Sequence, residues 1–213
     1  MLCAALYGGP VTHGARRGRS SADTATDADA GRATTGQLAA AHGPEIVAVT
    51  LILGCVAVFG VGDPLLVTAL VALCPIAAAA GVVDAATRRI PTPLAVAAAS
   101  VGVVGLGVAA ASIGAPATYG RALAAGIAVA AFYLVLWRFV GVGAGDVRLA
   151  AALAIFAGWA GWPCVVAFVV VAHLLALPFA LWKLARHGAD DVPFGPALVG
   201  GAYLAIALVG VAP

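Results

Sequence analysis

Seven apolar runs, each broken from the next by Gly, Pro or charge, leave this chain few folds to choose from. They fall at about 46–62, 65–83, 93–112, 121–140, 147–158, 162–182 and 197–212. A helix needs about 20 residues to cross a bilayer, with about 17 as the lower end. Only helices or closed barrels satisfy every backbone N–H and C=O in the hydrocarbon region. The runs therefore predict an all-α, polytopic membrane bundle of about six to seven transmembrane helices. The fifth run is short, and the first and last lie near the lower limit. Composition agrees, with 63% hydrophobic residues and only 9% charged, where a soluble domain carries about 25%. A net charge of +2 does not suggest a nucleic-acid partner. Cys3, Cys55, Cys74 and Cys164 are widely separated, which supports neither a zinc site nor a disulfide framework.

Residues 1–44 have a different composition. The stretch 16–43 is rich in Ala, Thr, Asp, Gly and Arg and has no Phe, Trp or Tyr, the signature of a chain that cannot bury enough apolar surface to order itself. The expected organisation is a disordered cytoplasmic tail over 1–44 and a membrane-embedded domain over 45–213. The apolar start at 1–6 is too short for a secretory signal and no basic residue precedes it.

Alternating the seven spans puts the tail and the loops at 84–92, 138–148 and 183–195 on one side. That side then holds ten of the eleven basic residues, including Arg88, Arg89, Arg138, Arg148, Lys183 and Arg186. Only Arg121 falls opposite. This asymmetry predicts a multi-pass protein of the inner (plasma) membrane with the N-terminus and these loops cytoplasmic. Basic loops there also suit the head groups of anionic membrane lipids.

Two aspartates stand out against this background. Asp84 closes the second run in Gly81-Val82-Val83-Asp84, and Asp146 opens the fifth in Gly143-Ala144-Gly145-Asp146. An ionised group at membrane depth costs about 2.5–3.5 kcal/mol on insertion scales, so such residues are functional candidates. Both would lie near the cytoplasmic boundary, and they can meet only if spans two and five pack together. Asp84 also suits an interfacial carboxylate paired with Arg88 one turn on. Asp146 also suits a helix N-cap, although flanking glycines are better explained by a need for unusual dihedrals or close approach. Arg148 reads as an inside anchor. Pro91 stops the helix after Asp84.

A third segment, Pro193, Phe194, Gly195 and Pro196, precedes the last run and reads as a turn entering a helix. His173, alone in an apolar run, reads as a helix–helix hydrogen-bond partner. No Ser/His/Asp arrangement, metal-ligand spacing or phosphate loop is legible, so no cofactor and no metal are expected.

Taken in order, these segments resemble the prepilin peptidases, the type IV leader peptidase family of membrane aspartic peptidases. That family's pattern is an aspartate at the end of a span with a proline seven residues on, matched by Asp84 and Pro91. Next comes G-x-G-D followed by x-K/R, matched by Gly143, Gly145, Asp146 and Arg148. Last is P-F-G-P before the final helix, matched by Pro193 to Gly195 and Pro196. The resemblance covers about residues 45–213. Thr92 follows Pro91 where the family often has Asn or Asp. Large members carry a cytoplasmic domain with paired C-x-x-C motifs, so the resemblance here implies a short, peptidase-only form. It further implies prepilin or pseudopilin precursors as partners, cut at a short basic leader on the cytoplasmic side, with Asp84 and Asp146 catalytic.

Two rival readings remain open on sequence. Presenilin and signal-peptide peptidase share G-x-G-D, and Pro196-Ala197-Leu198 matches their P-A-L segment, but Val83 and not Tyr precedes Asp84. A proton-coupled transporter would use the two acids as a relay and would show internal repeats or helices broken at mid-membrane. No repeat is legible, and both acids lie at a boundary.

Overall fold

In a computed structural model of the chain, the described residues are Gln37, 40–187 and 193–209. Most of the expected tail therefore lies outside them. From Gly43 onward the described chain forms seven helices and no strand, one for each apolar run. They are α1 (Gly43–Gly60), α2 (Pro64–Thr87), α3 (Thr92–Ile113), α4 (Pro116–Phe139), α5 (Ala144–Ala160), α6 (Trp162–His187) and α7 (Gly195–Val209). Helices α1, α2, α3, α4 and α6 are long and apolar enough to cross a membrane, while α7 is a shorter apolar helix.

The short α5, with 17 residues, is the centre of the bundle. It touches α2, α3, α4, α6 and α7, and its stretch from Leu149 to Trp159 is buried almost without interruption. Between apolar helices in lipid, close packing and hydrogen bonding replace the hydrophobic effect as the force of association. Small residues supply that packing. Gly158 lies directly on Ala125 and Ala122 of α4, and a Cβ at Gly126 would stand 2.8 Å from Ile155 of α5. Likewise a Cβ at Gly201 of α7 would meet the Ala172 backbone of α6 at 2.7 Å.

Polar residues finish the helix ends away from the two aspartates. Asp63 caps α2 by accepting Leu65 N–H at 2.9 Å and Leu66 N–H at 3.2 Å, and it also accepts Trp159 Nε1–H at 2.8 Å. Arg121 donates to the Gly158 and Trp159 carbonyls at 2.9 and 2.7 Å, satisfying two of the acceptors that a helix C-terminus leaves open. Arg121 thus has a structural task of its own: it caps α5.

Helix α3 contains a π turn at Val101–Gly105. Wider turns of this kind expose a carbonyl, and Tyr119 of α4 donates its hydroxyl to Val103 O at 2.9 Å. On the opposite end of the bundle, α2 stops at Thr87. Arg88 takes the left-handed conformation (φ 56°), its N–H returning to Asp84 O at 2.7 Å, and Pro91 then caps α3 in extended geometry.

Candidate active site

Asp84 rides on the last turn of α2 and is 4% exposed, the one buried charged-type residue among those described. Its Oδ2 accepts the N–H of Gly195, the first residue of α7, at 2.7 Å. A carboxylate at a helix N-terminus gains both that short charge-assisted bond and the favourable end of the helix dipole. The approach requires glycine. A Cβ at position 195 would stand 2.8 Å from Asp84 Cβ and 2.8 Å from Oδ2. No ion pair joins Asp84 to Arg88 among the described residues: Arg88 leaves the helix in the left-handed conformation, although both residues border the same cavity.

Asp146 enters from the opposite end of the chain order, on the first turn of α5. The N-cap of that helix is Gly143, and Asp146 stands at its third position, accepting Gly143 N–H at 3.2 Å. Asp146 therefore reaches back over the helix start instead of capping it. A Cβ at Gly143 would lie 2.8 Å from Asp146 Oδ2. Gly145 performs a separate service: a Cβ there would meet Ile90 Cβ at 3.0 Å and Ile90 O at 3.3 Å. A methyl there would crowd the α2–α3 loop where it passes the α5 start, and Ile90 would have to give by a few tenths of an ångström.

The two aspartates face one cavity of about 540 Å³, lined also by Arg88, Gly143, His173 and Phe194. A second space of about 250 Å³ touches both from the side of Arg89, Ile90 and Gly145. Helices α2 and α5 do meet, as the pairing of these residues demanded.

The other sequence candidates have distinct places. Phe194 lines the cavity, while Pro193 and Pro196 line an adjoining groove beside Ala85 and Ala176. Pro91 shapes the loop and lines neither space around the acids. Arg148 is exposed and points away from the cavity, along a groove between α3, α4 and α5. Its Nη1 donates to Thr92 Oγ1 at 2.8 Å, so threonine after Pro91 does make a polar contact.

Sequence reasoning read His173 as a helix–helix hydrogen-bond partner, whereas its bond is to its own helix, and it did not single out Tyr133. His173 of α6 is on the cavity wall, and its Nδ1 lies 2.7 Å from Val169 O. A carbonyl only accepts, so Nδ1 is the donor in this bond. Its ring packs against Phe194 at 5.2 Å and Tyr133 at 5.9 Å. An ionisable residue inside an apolar run was a usable signal for it. Tyr133, buried on α4, carried no such signal. Among the described residues, no group of three or more His, Cys, Asp or Glu is placed to hold a metal ion.

Comparison with known proteins gives the chain a family. The family profile described as "Type IV leader peptidase family" matches residues 71–181, a stretch that includes Asp84 and Asp146. The proteins named prepilin leader peptidase/N-methyltransferase from Burkholderia pseudomallei strains 1026b and K96243 are each 34% identical over 94 residues. That alignment covers 39% of this chain and 30% of each relative, so the chain spans about a third of their length. No solved structure gives a significant match. With just over half its length matched by the profile, the chain belongs to the type IV leader peptidase family.

Proposed function

We propose that this protein is a membrane aspartic endopeptidase. It removes the short basic leader from prepilin-like or pseudopilin precursors at the cytoplasmic face, with Asp84 and Asp146 as the catalytic pair. The observation that carries this reading is the shared cavity: two carboxyl groups from helices distant in sequence line one space, each held by a glycine N–H.

The chemistry follows from that pairing. Two carboxyl groups at one site do not readily ionise together, so the pair retains one proton between them. The ionised member takes a proton from water as the oxygen attacks the scissile carbonyl. The protonated member gives its proton to the departing amine, and the pair ends with its proton count unchanged. Protons in such a pair belong to the unit, so neither residue is fixed as base or acid. The wall of Leu177, Ala176 and Phe194 suits the apolar helix that follows a leader. The concentration of Arg88, Arg89 and Arg138 at the end of the bundle that carries the acids supports a cytoplasmic placement.

The test is cleavage of a purified precursor by the protein in proteoliposomes. Asp84→Asn and Asp146→Asn should each insert normally and cleave nothing. Full cleavage by either variant would sink the paired-carboxylate reading, and cutting within the substrate's apolar helix would assign a different peptidase class.

A further inference from the structure

Directly behind the cavity wall lies a polar group with nothing to bond. Tyr133 of α4 is fully buried, and its hydroxyl has no hydrogen-bond partner among the described residues. Burying a hydroxyl unpaired is unfavourable, and an orphan in a packed interior calls for a reason. Tyrosine is also an expensive way to fill apolar space that phenylalanine fills without that penalty.

The surroundings supply the reason. The Tyr133 ring packs against His173 at 5.9 Å and Phe194 at 6.2 Å, and both of those line the cavity with the aspartates. Asp146 lines that same cavity from the start of α5, the helix against which α4 packs most extensively. The two acids are also unequally served by their backbone donors. Asp84 has Gly195 N–H at 2.7 Å, whereas Asp146 has Gly143 N–H at only 3.2 Å. A carboxylate can accept several hydrogen bonds, and the Tyr133 hydroxyl has no partner among the described residues.

We infer that Tyr133 is a positioning residue of the site, whose hydroxyl donates to the Asp146 carboxylate when substrate fills the cavity. It acts through Asp146 and does not touch the reacting peptide. The bond stabilises the ionised form of Asp146 and orients it toward the attacking water. The inference rests on the paired-carboxylate reading above. Among the described residues, the other charged or titratable groups facing the pair are Arg88 and Arg89 beyond the α2 terminus and His173 of α6, which the test leaves in place.

Tyr133→Phe removes the hydroxyl and nothing else. The expected result is a fall in kcat of about tenfold or more, as for loss of a hydrogen bond to a charged group, with KM little changed. The acid limb of the kcat profile should move to higher pH, because a carboxylate that loses a donor holds its proton more tightly. Thermal stability should stay level or rise, since an orphan hydroxyl leaves the core. Unchanged kcat with an unmoved acid limb would overturn the inference and leave Tyr133 as packing only. Should Tyr133→Phe fail to accumulate, 3-fluorotyrosine at position 133 keeps the hydroxyl while making it a stronger donor. It should move the acid limb to lower pH, and no movement would equally refute the role. If Asp84→Asn and Asp146→Asn both remain active, the catalytic reading itself has failed. If they are dead and Tyr133→Phe is normal, only the present inference has.

Discussion

Adding a single methyl group at Gly195 should disable the site without touching an acid. In Gly195→Ala the new Cβ would stand 2.8 Å from Asp84 Cβ and 2.8 Å from Oδ2, with Cγ at 3.0 Å. The first of these contacts cannot be relieved by rotating a side chain, because Asp84 Cβ is fixed to the α2 backbone. Helix α7 must therefore back away from α2, and the 2.7 Å bond from Gly195 N–H to Asp84 lengthens or breaks. A hydrogen bond to a charged group is worth about 1.5–3 kcal/mol, and crowding a packed interior adds about 1–3 kcal/mol. If the hydrogen-bond share is felt at the transition state, turnover falls by about 10- to 150-fold. The assay is single-turnover cleavage of a precursor in proteoliposomes, with thermal unfolding measured alongside. Gly120→Ala is the control, since nothing lies within 4 Å of a Cβ there. Wild-type turnover in Gly195→Ala, while Asp84→Asn is inactive, would refute the claim that the α7 N-terminus holds the catalytic carboxyl.

Other consequences are more briefly stated. Gly143→Ala should slow turnover less than Gly195→Ala, because its 2.8 Å contact is with Asp146 Oδ2, the mobile end of a side chain; a larger loss than at 195 would contradict this ordering. Arg121→Met should lower thermal stability by about 1.5–3 kcal/mol through loss of the charged cap on α5, with KM unchanged, since its partners Gly158 and Trp159 lie at the other end of that helix. The kcat profile should be bell-shaped: the pair takes up a second proton on the acid side and loses its last on the alkaline side. A profile flat across the range in which the protein stays folded would argue against a shared proton. Gly158→Leu should prevent folding, measured as loss of the monodisperse detergent-solubilised protein, because Gly158 already lies against Ala125 and Ala122.

How much was legible in advance depended on whether a residue acts through its side chain or its backbone. Asp84 and Asp146 were legible because ionisable groups beside membrane-length apolar runs are costly, and that cost shows in the letters alone. Gly143 and Gly145 were legible as glycines near an acid, but their separate tasks were not: one donates an N–H to Asp146, the other makes room for Ile90. The segment Pro193 to Pro196 offers no side-chain acid or base, so sequence reasoning found a turn. Its contribution is the Gly195 N–H, which every residue except proline possesses and no composition can advertise. Asp146 suited a helix N-cap by type; the actual position depends on where α5 begins, and that start is set by the Gly143 geometry. His173 read as a helix–helix partner, yet its ring lines the cavity because α6 turns that face toward Phe194 and Tyr133.

Hydropathy by itself determined the class of molecule: all-α, many helices, in a membrane, with a short fifth segment. This follows because the bilayer imposes one length and one hydrogen-bonding rule on every segment that enters it. What only the tertiary structure decided is which helices are neighbours. The short α5 occupies the centre, and α7 lies end-on to Asp84. In lipid, apolar surface has no preference among partners, so adjacency is settled by shape: where glycines and alanines allow two backbones to close, as at Gly158 on Ala125 and Gly201 on Ala172.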